Sequence, residues 1–232
     1  WIGLDIRAFY RERGEARVGL GSERGRTIRE EWTDALRQAI APFAPDFGIL
    51  AGFVPLTNLT ADFPCLNVHP GDLTVTDATG RRTLVGLHTI PIEAAILAGM
   101  PDLRSSVIIA QPYTGGGGEM DSGPVLGVSG PVAVDLQGHS REELQRMADR
   151  RHGLRPVGGW QDALERIAAA NQTRLKESGD WVVLPAVVED FAAGRFARDA
   201  AGCLHYQNEA GAWLAVVTVE YSCSGCRPVP LK

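Results

Sequence analysis

Cys65-Leu66-Asn67-Val68-His69-Pro70 is the stretch on which the reading of this chain turns. Cys65 to His69 has the short, largely apolar character of a strand buried in a parallel sheet. Pro70 stops it, because proline has no N–H to give to a ladder. On an extended segment, residues i and i+2 point to the same face, so Asn67 and His69 can converge on one substrate atom. The end of a strand is also where open α/β sheets bind ligands. A matching apolar run, Asp46 to Phe53, predicts a second parallel strand upstream.

Working outward, strands and helices alternate. Ile2 to Tyr10 can be helical and Ala16 to Leu20 can be a short strand. Thr27 to Phe43 predicts an amphipathic helix with Ile28, Trp32, Leu36, Ala39, Ile40 and Phe43 on one face, closed by Pro42 and Pro45. Asp77-Ala78-Thr79-Gly80 marks a turn, and His88 to Ala98 a helix ended by Gly99. Ser105 to Gln111 is β-rich, and Pro124 to Leu136 carries strand character around a Ser-Gly-Pro break. Ser140 with Glu143 forms a capping box ahead of another helix. Gln161 to Glu177 and Trp181 to Ala193 predict two further helices. Phe196 to Tyr221 predicts a hairpin turning near Asn208 to Gly211. The fold class is therefore α/β: an open, mostly parallel sheet with flanking helices and a C-terminal β-hairpin.

Composition narrows the function. At 232 residues, 44% hydrophobic and 22% charged, the chain can bury one good-sized core. A net charge of −5 without a basic run argues against nucleic acid. No apolar stretch reaches the roughly 18 residues that span a bilayer. Four cysteines do not suggest a disulfide scaffold, so a reduced, cytoplasmic setting is expected. The chain starts at Trp1, so its native N-terminus is expected to lie upstream or to be hidden. The expected organisation is a single domain over 1–232 with a hairpin extension at 196–226.

A second motif, Asp121-Ser122-Gly123-Pro124, and Gly86-Leu87-His88-Thr89 before an apolar helix join the first. Together they supply an amide donor, an imidazole and a carboxylate, the groups that move an acyl carbon between nitrogens. The alternative is structural: Asn67 and His69 cap a strand end and Asp121 starts a turn. With these motifs the chain resembles the folate-dependent formyltransferase family, most nearly its phosphoribosylglycinamide branch and more distantly its methionyl-tRNA branch. The resemblance runs from about Thr27 to about Gln207. It is densest over Ala44 to Phe53, Leu66 to Pro70, Gly86 to Gly99 and Met120 to Leu126, with a looser stretch from Leu184 to Tyr206.

The resemblance implies a Rossmann-like fold, 10-formyltetrahydrofolate as co-substrate, and Asn67, His69 and Asp121 as the catalytic trio. Asn67 would donate to the oxygen of a tetrahedral intermediate. His69 would add a donor and protonate the departing folate nitrogen. Asp121 would orient His69 or hold a proton-shuttling water. It further implies that Ala51, Gly52, Phe53, Val54, Pro55 and Leu56 offer folate backbone groups beside an apolar wall. The residues alone equally allow Phe53, Val54 and Leu56 to be ordinary core. The segment Thr114 to Met120, with Gly116, Gly117, Glu119 and Met120, resembles the loop that closes on the pterin, and its four glycines predict mobility until ligand binds. A surface loop is the other reading.

The chain also departs from the family. After His69-Pro70 comes a longer loop carrying Arg81 and Arg82, which could bind an anionic acceptor or be solvated. The family's first strand and phosphate-cradling glycine loop are not found, and Gly19-Leu20-Gly21-Ser22 is a weak match. Cys203, His205, Cys223 and Cys226 could form a Cys₃His zinc site or be unremarkable thiols.

The reading is formyl transfer in one-carbon metabolism to the primary amine of a small molecule. Glycinamide ribonucleotide, from purine biosynthesis, is one candidate acceptor. The alternatives are a 10-formyltetrahydrofolate hydrolase and a non-catalytic folate-binding protein. Expected partners are the amine acceptor and, as an option, a second copy in a homodimer, with no nucleic acid and no membrane.

Overall fold

The computed structural model describes residues 3–53, 55–114, 120–156 and 158–231. It divides into two compact units, Trp1–Asn67 with Ile109–Gly123, and Val68–Ile108 with Pro124–Lys232.

In the first unit, Asp5 caps α1 (Ile6–Glu12), accepting from the N–H groups of Arg7 and Ala8. Ser22 caps α2 (Glu23–Ile40) by accepting from the Gly25 N–H. Ile28 and Trp32 are buried as the 3–4 spacing predicts, and Tyr10 ties α1 to α2 by donating to the Gly25 carbonyl at 2.7 Å. The predicted face does not extend to Phe43, which is 70% exposed. Ala41–Phe43 is a 3₁₀ turn with Pro42 near its start, and three residues per turn break the register that 3.6 would keep. Ala16 to Leu20 pairs with no strand; it runs as bends. The two expected parallel strands are present as β1 (Gly48–Leu50) and β2 (Cys65–His69), paired in parallel with Gly48 opposite Cys65 and Leu50 opposite Asn67.

The second unit carries the rest. Thr76 bridges Arg82 around the Asp77 turn, where the Asp77 carboxylate accepts from Thr79 and Arg81 N–H groups. Next come α3 (Ile90–Leu97), β3 (Asp102–Leu103), β4 (Ser106–Ile109, its last residue in the first unit), β5 (Val125–Ser129) and β6 (Val132–Ala133). Then follow α4 (Arg141–Asp149), whose capping box is complete, α5 (Ala163–Leu175), α6 (Trp181–Ala192), β7 (Phe196–Arg198), β8 (Leu204–Gln207), β9 (Trp213–Ser222) and β10 (Gly225–Pro230). A core of Ile92, Ile96, Leu144, Leu164, Ile167 and Leu175 binds α3, α4 and α5 together.

The sheet is mixed. β5 and β9 run parallel; β4 is antiparallel to β5, and β7, β8, β9 and β10 form an antiparallel meander. The α/β class with helices beside the sheet and a C-terminal hairpin is thus as the sequence predicts. The turn at Asn208 to Gly211 also holds, with the Gly211 N–H donating to the Asn208 carbonyl. Val216 pairs with both Leu204 and Pro230, and Val219 with both Gly127 and Pro228. A strand has two edges, so β10 runs along one edge of β9 while β5 and β8 share the other in succession. Gly127 leaves room for this packing: a Cβ there would lie 2.4 Å from Val187 and 2.8 Å from the Tyr221 ring.

The two helices predicted at Gln161–Glu177 and Trp181–Ala193 are joined. Lys176–Asp180 forms a π turn that continues α5 into α6. The turn sits just upstream of Pro185, whose ring removes the ordinary bond to the Trp181 carbonyl.

Candidate functional site

The first unit assembles the Asn67 end of β2. The register that sets Leu50 opposite Asn67 sends Ala51 to Leu56 off the same ends of two parallel strands. Gly52 turns the chain at φ +66°, a conformation that a side chain would strain. Phe53 then stacks on Trp32, with ring centroids 5.8 Å apart and planes 18° from parallel. Phe53 and Leu56 pack against the buried cluster of Leu50, Cys65, Ala110, Tyr113 and Met120. Burial pushes the Cys65 thiol up to about 11, so it is a packing group rather than a nucleophile. The Leu56 carbonyl accepts from Arg29 Nη1 at 2.8 Å, and Arg29 itself is only 4% exposed.

Asp121 belongs to this unit too, in the 3₁₀ turn Met120–Ser122. The Ala110 N–H donates to the Cys65 carbonyl at 2.8 Å, and the Gln111 N–H donates to the Met120 carbonyl at 3.1 Å. The stretch Ala110-Gln111 therefore lies between β2 and the turn bearing Asp121. Gly123 is required here, because a Cβ would lie 1.8 Å from the Ile109 carbonyl oxygen. Tyr113 closes the cluster. Its hydroxyl donates to Glu30 at 2.6 Å and its N–H to Asn58 at 3.0 Å, and burial followed by the Glu30 contact pushes its ionisation well above the usual phenol range.

His69, two residues beyond Asn67 on β2, belongs to the second unit and is 4% exposed. Its Nε2 lies 2.8 Å from the Leu84 carbonyl oxygen. A carbonyl only accepts, so Nε2 carries the hydrogen. Gly71 permits this placement, since a Cβ there would sit 2.7 Å from the Leu84 oxygen and 3.2 Å from His69 Nε2. Beyond Gly71 and Leu84 is a cavity of about 170 Å³ whose polar wall is Asp72, Asp102 and Arg104.

A carboxylate that sequence reasoning missed also stands in this unit. The π turn delivers Asp180 to Ser105, whose hydroxyl donates to Asp180 Oδ1. Burial pushes the Asp180 carboxyl up, while the Ser105 bond and the charges of Lys176 and His69 pull it back. No local spacing signals this contact, because Ser105 and Asp180 are 75 residues apart.

Of the predicted trio, the structure thus sets Asn67 and Asp121 in one unit with the Ala110-Gln111 stretch between them, and His69 in the other with Leu84 and Asp180. Ala51, Gly52, Phe53, Pro55, Leu56 and Met120 all belong to the first unit. Val54, Gly116, Gly117 and Glu119 lie outside the described residues. Arg81 is exposed at the tip of the ordered turn after β2. Among the described residues no group of three or more His, Cys, Asp or Glu is gathered as metal ligands would be. His205 pairs with Ala215 early on β9, and Cys223 follows the far end of that strand. Cys226 instead meets the Tyr206 hydroxyl at 3.3 Å. Among the described residues no helix is long and apolar enough to cross a membrane.

No protein-family model matches the chain, and no curated protein matches it. Solved structures do. Among those it resembles are two formyltransferases and a formyltetrahydrofolate deformylase. Glycinamide ribonucleotide transformylase 1 from Symbiobacterium toebii is 22% identical, with 78% of this chain and 62% of that one covered and a TM-score of 0.41. Phosphoribosylglycinamide formyltransferase from Anaplasma phagocytophilum is 16% identical, with 86% and 81% covered and a TM-score of 0.46. Formyltetrahydrofolate deformylase from Pseudomonas syringae pv. tomato is 13% identical, with 85% and 52% covered and a TM-score of 0.44. The chain spans less than two thirds of the first and third of these.

Proposed function

We propose that this chain transfers the formyl group of 10-formyltetrahydrofolate to a primary amine of a small molecule. The observation that carries the reading is the register of Leu50 opposite Asn67. It sends Ala51 to Leu56 and the Asn67 amide off the same end of two parallel strands, where such sheets bind ligands. The backbone of Ala51 to Phe53, with Phe53 and Leu56 packed as an apolar wall beside it, suits a flat heterocycle with alternating donors and acceptors. Asn67 then donates to the oxygen that becomes negative when the amine adds to the formyl carbon. His69, its ring oriented by the contact of Nε2 with the Leu84 carbonyl, supplies the proton taken by the departing folate nitrogen. Asp121 accepts the proton lost by the attacking amine, directly or through a water. The acceptor class stays at a primary amine, with glycinamide ribonucleotide one candidate.

Hydrolysis to formate is the second reading, because the same trio can pass the formyl group to water. Water needs no binding site of its own. Incubation of the protein with 10-formyltetrahydrofolate alone, then with a panel of primary amines, separates the two. Amine-dependent release of tetrahydrofolate with formylated product supports transfer. Release of formate at a rate that no amine changes supports hydrolysis. Binding without turnover under both conditions leaves a folate-binding protein and defeats the proposal.

A further inference from the structure

One face of α2 grips the chain that follows β1 at one residue after another. Arg29, Thr33 and Arg37 stand at i, i+4 and i+8 on one side of the helix, with Trp32 beside them. Trp32 stacks on Phe53, with ring centroids 5.8 Å apart. Arg29 Nη1 donates to the Leu56 carbonyl at 2.8 Å. The hydroxyls of Thr33 and Thr57, both fully buried, meet at 3.3 Å. Arg37 Nη2 donates to the Asn58 carbonyl at 3.0 Å. Every one of these groups belongs to the first unit.

Arg29 is the odd member of the set. It is 4% exposed, yet among the described residues it has no ion pair, and its buried Nε has no hydrogen-bond partner. Its guanidinium carbon lies 5.8 Å from the centre of the Tyr10 ring and 6.0 Å from that of Trp32. A buried charge without a counter-charge is costly, and an apolar side chain would fill the same space. The bond to Leu56 is what distinguishes the arginine from such a filler. Residues 55–57 lie in neither strand nor helix, so no ladder supplies a donor for that carbonyl.

From this geometry we infer that Arg29 is a positioning residue for ligand binding: by fixing the chain at Leu56 while Trp32 fixes it at Phe53, it holds the backbone of Ala51 to Phe53 in the shape that receives the heterocycle. The inference rests on the formyl-transfer reading for what binds there and on the contacts alone for what Arg29 holds. It takes Leu56 out of the ligand-facing set, because its carbonyl is engaged by Arg29 and its side chain packs against the cluster of Leu50, Cys65 and Ala110. A segment left loose must be ordered by the ligand, and that cost weakens ground-state and transition-state binding alike. Arg29 therefore bears on KM, whereas Asn67 bears on kcat.

The test is Arg29→Met, which keeps an unbranched stem and removes the charge and the donors. KM for 10-formyltetrahydrofolate should rise about tenfold, the usual effect of losing one hydrogen bond from a charged donor, with kcat changed by less than about twofold. The dissociation constant of tetrahydrofolate, measured by calorimetry, should rise by the same factor. Without ligand, hydrogen exchange at the amides of Gly52, Phe53, Leu56 and Thr57 should quicken about tenfold, while α4 in the other unit exchanges as in wild type. Arg29→Lys, which keeps the charge but not the planar fork, should recover part of each effect. A folded Arg29→Met protein with wild-type KM, with a loss confined to kcat, or with unchanged exchange at those four amides overturns the inference. If the wild type neither turns over 10-formyltetrahydrofolate nor binds tetrahydrofolate, the formyl-transfer reading fails, and hydrogen exchange still decides whether Arg29 holds the segment. If Arg29→Met does not fold by near-ultraviolet circular dichroism, Arg29→Lys decides it, and wild-type KM and exchange there count against the inference.

Discussion

The Asn67 end of β2 and the α5–α6 junction each place a polar side chain, and do so in different ways. At β2 a two-residue spacing and a parallel register set Asn67 opposite Leu50, and almost everything follows from local pattern. At the junction a carboxylate reaches its partner across 75 residues, through a widened helical turn and a glycine with no room for a methyl group. The first region is specified by short-range periodicity. The second is specified by packing, and is correspondingly easier to damage by a change of one atom.

The largest break in this comparison is expected at β2. Asn67→Ala should lower kcat by roughly 10²–10³, the usual effect of removing one donor to a developing oxyanion, with unfolding by urea little changed. Asp121→Ala should cost roughly 10² or more if it manages the amine proton. A variant of either residue with near-wild-type kcat in the formyl-transfer assay removes that residue from the mechanism.

The junction should respond in stability instead. Gly179→Ala forces a methyl group against Ser105, Leu175 and Ser129 and should destabilise the protein by roughly 1–3 kcal/mol in urea denaturation. A change under a few tenths would mean that the π turn relaxes freely and does not hold Asp180 in place. Smaller still is the cap of α4: Ser140→Ala removes the acceptor for the Glu143 N–H and should cost about 1 kcal/mol by the same assay.

The last prediction concerns acid. Asp162 accepts two bonds from Arg151 at 2.8 Å, and this contact, against the opposing pull of burial, holds its carboxyl below the usual range. A depressed folded value means a contribution present above the unfolded carboxylate value and lost as pH falls through the folded one. The wild-type melting temperature should therefore fall between neutral pH and pH below about 4 more steeply than that of Asp162→Asn. Parallel curves would show that Arg151 draws its stability from Glu93 and from packing on Trp160.

What the sequence made legible divides along the same line. β1, β2, the Asp77 turn, the Ser140 cap and the Asn208 turn all carry their instructions within a few residues, and all are found where predicted. Phe43 was assigned to a buried face because the helical period was carried through a proline turn that changes it. The α5–α6 join was hidden because Lys176-Glu177-Ser178-Gly179 looks like a helix stop until Ser105 and Ser129 are seen filling the space where a methyl would go. Cys203, His205, Cys223 and Cys226 could be grouped only by spacing along the chain, which says nothing of distance along a ten-residue strand. Asn67 and Asp121 could be nominated from motif, whereas Asp180 could be reached only through the fold.

β10 was not predicted at all, since Pro228 and Pro230 argue against a strand. Its place explains them. Among the described residues β10 has a partner on one side only, and each proline in it removes one backbone donor from the strand. A strand from another molecule approaching that border would find gaps where it needs hydrogen bonds. The residues that disguise β10 as a loop therefore also guard it against runaway self-association.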